Sequence, residues 1–570
     1  MKRPPVRRLL ALFLGLVLAL GAIVVRLTVL QVNQADAYQT RALDQRLRSV
    51  TLPAGRGQIL DRSGEPLAIS TPARDVYADP RYVDDPWAEA ARIAPILGMS
   101  MSDVAGRLTS GTTFSWVARQ VDLSTAERLE ALRLPGIGFL PTTSRSYPAG
   151  ALAAQLLGFV DIDGAGIAGL ELRYQDELAG TPGERTQEID PNGQPITGGI
   201  DVERAPVPGS DLVLTIDRDF QYQVQEALRA SVEANHAAGG TVVVMDPRTG
   251  DVYAMATYPW FDPNDPAGSP EATWRARAVT DAYEPGSVNK VVTVSAALQE
   301  GAITTQQRFR VPWTMRVGDY TIHDSHPHPV QTMTVADIVA ESSNIGAVEV
   351  ARRLGESRFA AYLARFGLGR PTGVGFPGEA SGTVLPLADW TDTSLATMAY
   401  GQGIAVTPLQ MAAAYATIAN DGRWVRPRLV RGSVDADGRF HQAPASPTRR
   451  VVSAATARTV AQMLAYTVDA GTGTGAQVPG YQVAGKTGTA RIPNPAGGYY
   501  TDRWIASFMG FLPASDPQVV IAAIIDRPST VYGSIAAAPL FQQVARYAIE
   551  RLGIAPGRPL PLPPHALPVP

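Results

Sequence analysis

Lys2, Arg3, Arg7 and Arg8 stand in front of an uninterrupted apolar run from Leu9 to Val25, a segment that a water-soluble domain would have to bury on every side. As a helix rising 1.5 Å per residue, the run covers roughly 26 Å of hydrocarbon, and Leu27 to Leu30 can extend it. The basic flank lies N-terminal to it, which predicts a cytoplasmic tail over 1–8, a transmembrane anchor over 9–30 and an extracytoplasmic remainder. Ala19-Leu20-Gly21 has the small residues of a cleavage site, but the apolar run continues past it to Val25, so the reading is a retained anchor.

The rest of the 570-residue chain is long enough for several domains, and its 45% hydrophobic content supports at least one large core. A net charge of -3 gives no polyanion-binding surface, which argues against nucleic acid as a partner. With no cysteine, the chain has no disulfide, no thiolate metal site and no Cys nucleophile. Among the 50 basic residues only Lys2, Lys290 and Lys486 are lysines; the others are arginine. Arginine supplies charge but does not release a proton near neutral pH, whereas a desolvated lysine does. The two internal lysines are therefore the first places to look for chemistry.

From about Val32 to Pro208, short strand-like and helical pieces alternate between turn signals such as Ser63-Gly64 and Asp163-Gly164. No catalytic constellation stands out there, and 31–208 reads as a stalk or docking domain. Asp211 to Asp217 is a strand pattern that opens a second domain, 209–555, and leads into a helix from about Phe220 to His236. Thr241 to Met245 and Val252 to Met255 form a hairpin through Asp246 to Asp251. Trp504 to Leu512 and Val519 to Ile525 form another pair around Ala514 to Pro517. Strands at both ends with helices between them predict an α+β domain, an antiparallel sheet covered by helices. The stretch 556–570 contains seven prolines and reads as an extended, disordered tail.

Three elements carry chemistry. Ser287-Val288-Asn289-Lys290 opens the apolar stretch Val291 to Leu298 after the loop residues Pro285 and Gly286. Spacing of i and i+3 sets Lys290 on the same helix face as Ser287, and desolvation among valines and alanines favours its neutral, basic form. Ser342-Ser343-Asn344 lies between helical patterns over Val335 to Ala340 and Ile345 to Leu354. There Ser342 can relay a proton toward a leaving amine and Asn344 can orient Lys290 or a substrate peptide, although both residue types also serve as plain helix caps. Lys486-Thr487-Gly488-Thr489 sits in a strand-like run from Tyr481. An edge strand of that kind pairs with an extended peptide, while Lys486, Thr487 and Thr489 hold a terminal carboxylate and an N–H near Thr489 joins that of Ser287 in an oxyanion hole. Each motif alone is common; the three in this order, about 55 and 142 residues apart and containing both internal lysines, are a specific combination.

With these motifs the chain resembles the class B penicillin-binding proteins, the monofunctional D,D-transpeptidases of bacterial cell-wall synthesis, over nearly its whole length. Ala54 to Arg62, Arg145-Ser146-Tyr147-Pro148 and Leu156 to Val160 are similar to motifs of that family's pedestal; Tyr283 to Ser287, Tyr400-Gly401-Gln402-Gly403 and Ala484 to Ala490 are similar to its transpeptidase domain. Phe261 to Asn264, Phe366 to Gly369 and Gly378 to Trp390 resemble the cell-division branch more than the elongation branch. Val288-Asn289 departs from the residues common in the first motif and bears on substrate fit. The resemblance implies a five-stranded antiparallel sheet covered by helices on an extended pedestal or dimerisation-type domain. It implies that Ser287, Lys290, Ser342, Asn344 and Lys486 are catalytic and that Thr487, Gly488 and Thr489 bind substrate. Ser287 would attack the penultimate carbonyl of a stem peptide ending in D-Ala-D-Ala and be resolved by an amine on a neighbouring stem. Expected partners are stem peptides, β-lactams, the lipid bilayer, a membrane-embedded glycosyltransferase and division proteins; no cofactor or metal is called for.

Two rivals stand beside this reading: a serine β-lactamase or carboxypeptidase with the same motifs, against which the long pedestal and anchor argue, and a non-catalytic penicillin sensor or division scaffold. His323, His326 and His328 fall close enough to ligate a transition metal, but no fourth ligand is evident and Pro327 and Pro329 suggest an irregular surface loop.

Overall fold

The computed structural model describes residues 6–190 and 196–565. Lys2 and Arg3 of the basic flank and residues 566–570 of the proline-rich stretch lie outside the described residues. Packing divides the chain into two units: Met1–Gly55 with Gly180–Pro208, and Arg56–Ala179 with Gly209–Pro570. In the first unit, helix α1 (Val6–Thr28) has no buried residue and exposes its leucines and valines around the whole circumference. The apolar helical stretch Val6–Val32 fits a single-pass membrane anchor by length and composition. After it, Leu47–Leu52, Gly183–Glu188 and Asp201–Arg204 form a three-stranded antiparallel sheet.

The packing also divides between Pro208 and Gly209, but it joins 56–179 to the second unit. Asp211–Leu214 does not merely open a new domain: it pairs in parallel with Ile59–Leu60 and antiparallel with Val430–Val434, so one sheet takes strands from both sides of the expected boundary. The turns around Arg56, Arg145 and Glu171 also converge. Glu171, fully buried, accepts hydrogen bonds from Arg56 Nε at 2.7 Å, Arg145 Nε at 2.7 Å and the Tyr147 hydroxyl at 3.3 Å. A carboxylate holding two buried guanidinium groups cannot be removed without leaving cations uncompensated. Glu171→Gln is expected to lower the unfolding free energy by about 3–5 kcal/mol, read from urea denaturation of the second unit's transition.

The central sheet contains β1 (Gly239–Met245), β2 (Val252–Tyr258), β3 (Ala484–Pro493), β4 (Tyr499–Leu512) and β5 (Val519–Asp526), in the order β2-β1-β5-β4-β3 with every pair antiparallel. β1 is buried along its whole length and β5 along all but its last residue, because helices cover both faces. The covering helices are α2 (Arg218–Ala234), α3 (Lys290–Gln299), α4 (Val335–Ala340), α5 (Asn344–Leu354), α6 (Pro408–Ala419), α7 (Ala454–Ala470) and α8 (Ala538–Leu552). Val242, Val244, Ile521 and Ala523 pack outward with Phe220 and Leu228 of α2 and Phe541 and Val544 of α8. Val243, Met509 and Ala522 face the other core, with Val292 of α3, Ala412 of α6 and Leu464 of α7. β3 is left at the sheet edge, next to the start of α3.

The stretch 556–565 has no helix or strand, as its prolines require, but it is seated on the domain and is not a free tail. Leu560 N–H donates to Gln482 at 2.7 Å, the Pro564 carbonyl accepts from Thr334 Oγ1 at 3.0 Å, and the His565 ring stacks on Tyr466 with centroids 5.2 Å apart.

Candidate active site

Ser287 lies in the tight turn Gly286–Asn289 that runs straight into α3. Gly286 has φ +59°, and its N–H donates to the Gly401 carbonyl at 2.9 Å. Three hydrogen bonds fasten the turn and the helix that follows it. The Tyr415 hydroxyl donates to the Val288 carbonyl at 3.1 Å, Asn289 Nδ2 to the Met398 carbonyl at 2.8 Å, and Thr293 Oγ1 to the Ala399 carbonyl at 2.7 Å. Val288 and Asn289 are fully buried. Their departure from the family pattern therefore bears on how the turn packs, not on the substrate surface.

Lys290, one turn along, is fully buried, with Nζ 3.0 Å from Ser287 Oγ, 2.5 Å from the Ser342 carbonyl oxygen, 2.8 Å from Asn344 Oδ1 and 3.3 Å from Ser342 Oγ. Burial pushes its amine down to about 7, opposed by the negative charge of Asp324. A neutral amine has two N–H groups and one lone pair. The Ser342 carbonyl and Asn344 Oδ1 can only accept, so they take the two N–H groups and leave the lone pair for the serine hydroxyl's proton.

Ser342 stands in the left-handed region, φ +60°, at the corner between α4 and α5. That corner turns its carbonyl and hydroxyl toward Lys290. The helix cap is neither Ser342 nor Asn344 but Ser343, whose Oγ accepts from Gly346 N–H at 2.9 Å. Sequence reasoning missed Asp324. Its carboxylate accepts from Ser343 Oγ at 2.7 Å, Asn344 N–H at 2.6 Å and Ile345 N–H at 3.1 Å, which fixes the start of α5 and so the reach of Asn344. The available signal was a lone acid beside the three histidines. Those histidines go separate ways: His328 Nε2 lies 3.1 Å from Asp324 Oδ2, the His323 carbonyl accepts from Asn344 Nδ2 at 3.0 Å, and the His326 ring sits 5.8 Å from that of Tyr532. Among the described residues no group of three or more His, Cys, Asp or Glu side chains is placed to hold a metal ion.

Lys486 is also fully buried, and its placement differs from that of a residue meeting a carboxylate in the open. Nζ reaches the Thr487 carbonyl and Thr487 Oγ1, each at 3.1 Å, and Thr472 Oγ1 at 3.5 Å. Burial and the neighbouring Lys290 push its amine well down, with Glu341 opposing. Thr487 and Thr489, not Lys486, line the cavity of about 510 Å³ that also exposes Ser287, Ser342 and Asn344. Gly488 lies where β3 presses on the serine turn: a Cβ there would stand 2.3 Å from Ser507 Oγ and 2.9 Å from Val288 Cγ1.

The fold is that of the penicillin-binding proteins, and the chain belongs to that family: residues 240–546 match the penicillin binding protein transpeptidase domain and residues 51–214 the penicillin-binding protein dimerisation domain. Its relatives narrow this to the class B, division-type branch. The chain is 36% identical to penicillin-binding protein PbpB of Mycolicibacterium smegmatis over 94% of this chain and 90% of the relative. It is 34% identical to peptidoglycan D,D-transpeptidase FtsI of Escherichia coli K12 over 95% of this chain and 91% of the relative. The crystal structure of penicillin-binding protein 3 from Mycobacterium tuberculosis complexed with aztreonam superposes with a TM-score of 0.72 at 34% identity, covering 90% of this chain and all of the other.

Proposed function

We propose that this chain is a peptidoglycan D,D-transpeptidase of septal cell-wall synthesis, tethered by its N-terminal helix with the catalytic domain outside the cytoplasmic membrane. Ser287 is the nucleophile. Uncharged Lys290 takes its hydroxyl proton as Oγ attacks the penultimate carbonyl of a stem peptide ending in D-Ala-D-Ala. The proton passes by way of Ser342 to the departing D-alanine amine, and Asn344 keeps the Lys290 amine oriented. N–H groups of Ser287 and Thr489 receive the oxyanion; the close approach of these two backbones supports this, since a Cβ on Gly286 would lie 2.8 Å from the Thr489 carbonyl oxygen. Thr487 and Thr489 hold the terminal carboxylate, Lys486 braces Thr487 from beneath, and the backbone of Gly488 leaves room for the serine turn. An amine on a second stem then resolves the ester into a cross-link, and β-lactams acylate the same serine. A membrane-embedded glycosyltransferase and division proteins are the partners this role calls for.

The observation that carries the reading is the buried Lys290 Nζ at 3.0 Å from Ser287 Oγ. The full chain in detergent, treated with penicillin, is expected to gain the mass of one opened β-lactam on the peptide containing Ser287, and Ser287→Ala is expected to gain none. An adduct elsewhere, or none on the wild type, rejects it. In cells, a non-catalytic scaffold would keep its role in the Ser287→Ala variant, whereas the enzyme loses it.

A further inference from the structure

The cavity wall beside Ser342 carries a charge with no task in the acylation chemistry. Glu341 closes α4, its N–H donating to the Asp337 carbonyl at 2.8 Å, and immediately precedes the left-handed Ser342. Its side chain is exposed and lines the cavity. Among the described residues no hydrogen bond or ion pair reaches its carboxylate. The cation whose charge acts on it, Lys486, is buried behind Thr487 and Thr472, where both burial and Lys290 favour the uncharged amine. Burial and the neighbouring Asp337 push its carboxyl up from the ordinary range, with Lys486 opposing, and the side chain turns this acid to the cavity without a hydrogen-bonded or ion-paired partner.

Its place in the reaction follows from microscopic reversibility. The amine that resolves an acyl-enzyme approaches along the line on which the first amine departed. Ser342 Oγ, 3.3 Å from Lys290 Nζ, borders that line, and Glu341 is the adjoining residue, one Cα step of about 3.8 Å away. An alkyl amine in water at neutral pH is almost wholly an ammonium ion. A carboxylate on the wall of a concave site concentrates and orients such a cation.

We propose that Glu341 is the specificity residue for the acceptor, its carboxylate receiving the ammonium group of the incoming amine beside Ser342; this rests on the transpeptidase reading above. The substrate class is a primary alkyl amine, cationic until it is bound.

The test uses the full chain in detergent with an acyl-D-alanyl thioester donor and two probe amines at pH 7: glycinamide, which is cationic, and hydroxylamine, which is neutral. The quantity read is the aminolysis-to-hydrolysis ratio of the acyl-enzyme for each amine, which divides out acylation itself. Glu341→Gln is expected to lower the preference for glycinamide over hydroxylamine about tenfold, Glu341→Lys further, and Glu341→Asp to restore part of it. A wild-type preference retained in Glu341→Gln and Glu341→Lys overturns the inference and leaves the transpeptidase reading standing. Absence of any acyl-enzyme in the wild type overturns both.

Discussion

Lys290→Arg is expected to lower the rate of Ser287 acylation by penicillin by about 10²–10⁴-fold, while Lys486→Arg keeps a measurable rate. Both substitutions preserve positive charge and hydrogen-bond donors. They differ in whether the native group must lose a proton. A guanidinium at position 290 could still donate to the Ser342 carbonyl and Asn344 Oδ1, but it has no lone pair for the serine proton at any working pH. At position 486 the amine is braced against Thr487 and Thr472 and reaches neither Ser287 nor the cavity. Arginine there overfills a closed pocket and shifts Thr487, at a cost of order 1–3 kcal/mol in packing. Stopped-flow acylation with a fluorescent penicillin, set beside each variant's unfolding midpoint, separates the two. Equal residual rates in the two variants would remove the division of labour between the lysines.

The second large effect comes from a residue outside the cavity lining. Gly401 has φ +84°, and a Cβ on it would lie 2.1 Å from the Gly286 carbonyl oxygen. Gly286 N–H in turn depends on the Gly401 carbonyl. Gly401→Ala must therefore push the serine turn away from its support, and a displacement near 1 Å at a nucleophile costs about 10²-fold in rate. Gly438→Ala is the control. Gly438 has φ +79° but open space where its Cβ would go, so it carries a similar backbone strain without the clash. Acylation is expected to fall about 100-fold in Gly401→Ala and to stay near wild type in Gly438→Ala. Similar losses in both would mean that strain, not displacement of Ser287, sets the effect.

The parts of the site legible in the sequence are those coded by short spacing. Ser287 and Lys290 share a helix face by periodicity alone, and the scarcity of lysine pointed to both internal amines. The strand pairs at either end of the second unit were readable from apolar runs and turn residues, and their boundaries moved by only a few residues. Contacts between distant segments were not readable. Asp324 acts through Ser343, Asn344 and Ile345 about twenty residues on, and the histidines beside it are all that sets it apart locally from a surface acid. Ile59–Leu60 pairs with Asp211–Leu214 across more than 150 residues, which is why 56–179 packs with the second unit. The burial of Lys486 behind Thr487 depends on Thr472, contributed by the segment after α7. For Glu341 the missing clue was its place on the cavity wall with no hydrogen-bonded or ion-paired partner among the described residues, which only the assembled cavity reveals.

An amine able to lift a proton from Ser287 must itself be unprotonated when the substrate arrives. The direct measurement is the second-order rate of penicillin acylation of the full chain as a function of pH. With Lys290 held down to about 7 by burial, the rate should climb through an apparent pKa near that value and level off above it. A rate that stays level across that range, or that declines as the solution becomes more alkaline, would contradict a neutral Lys290 as the base.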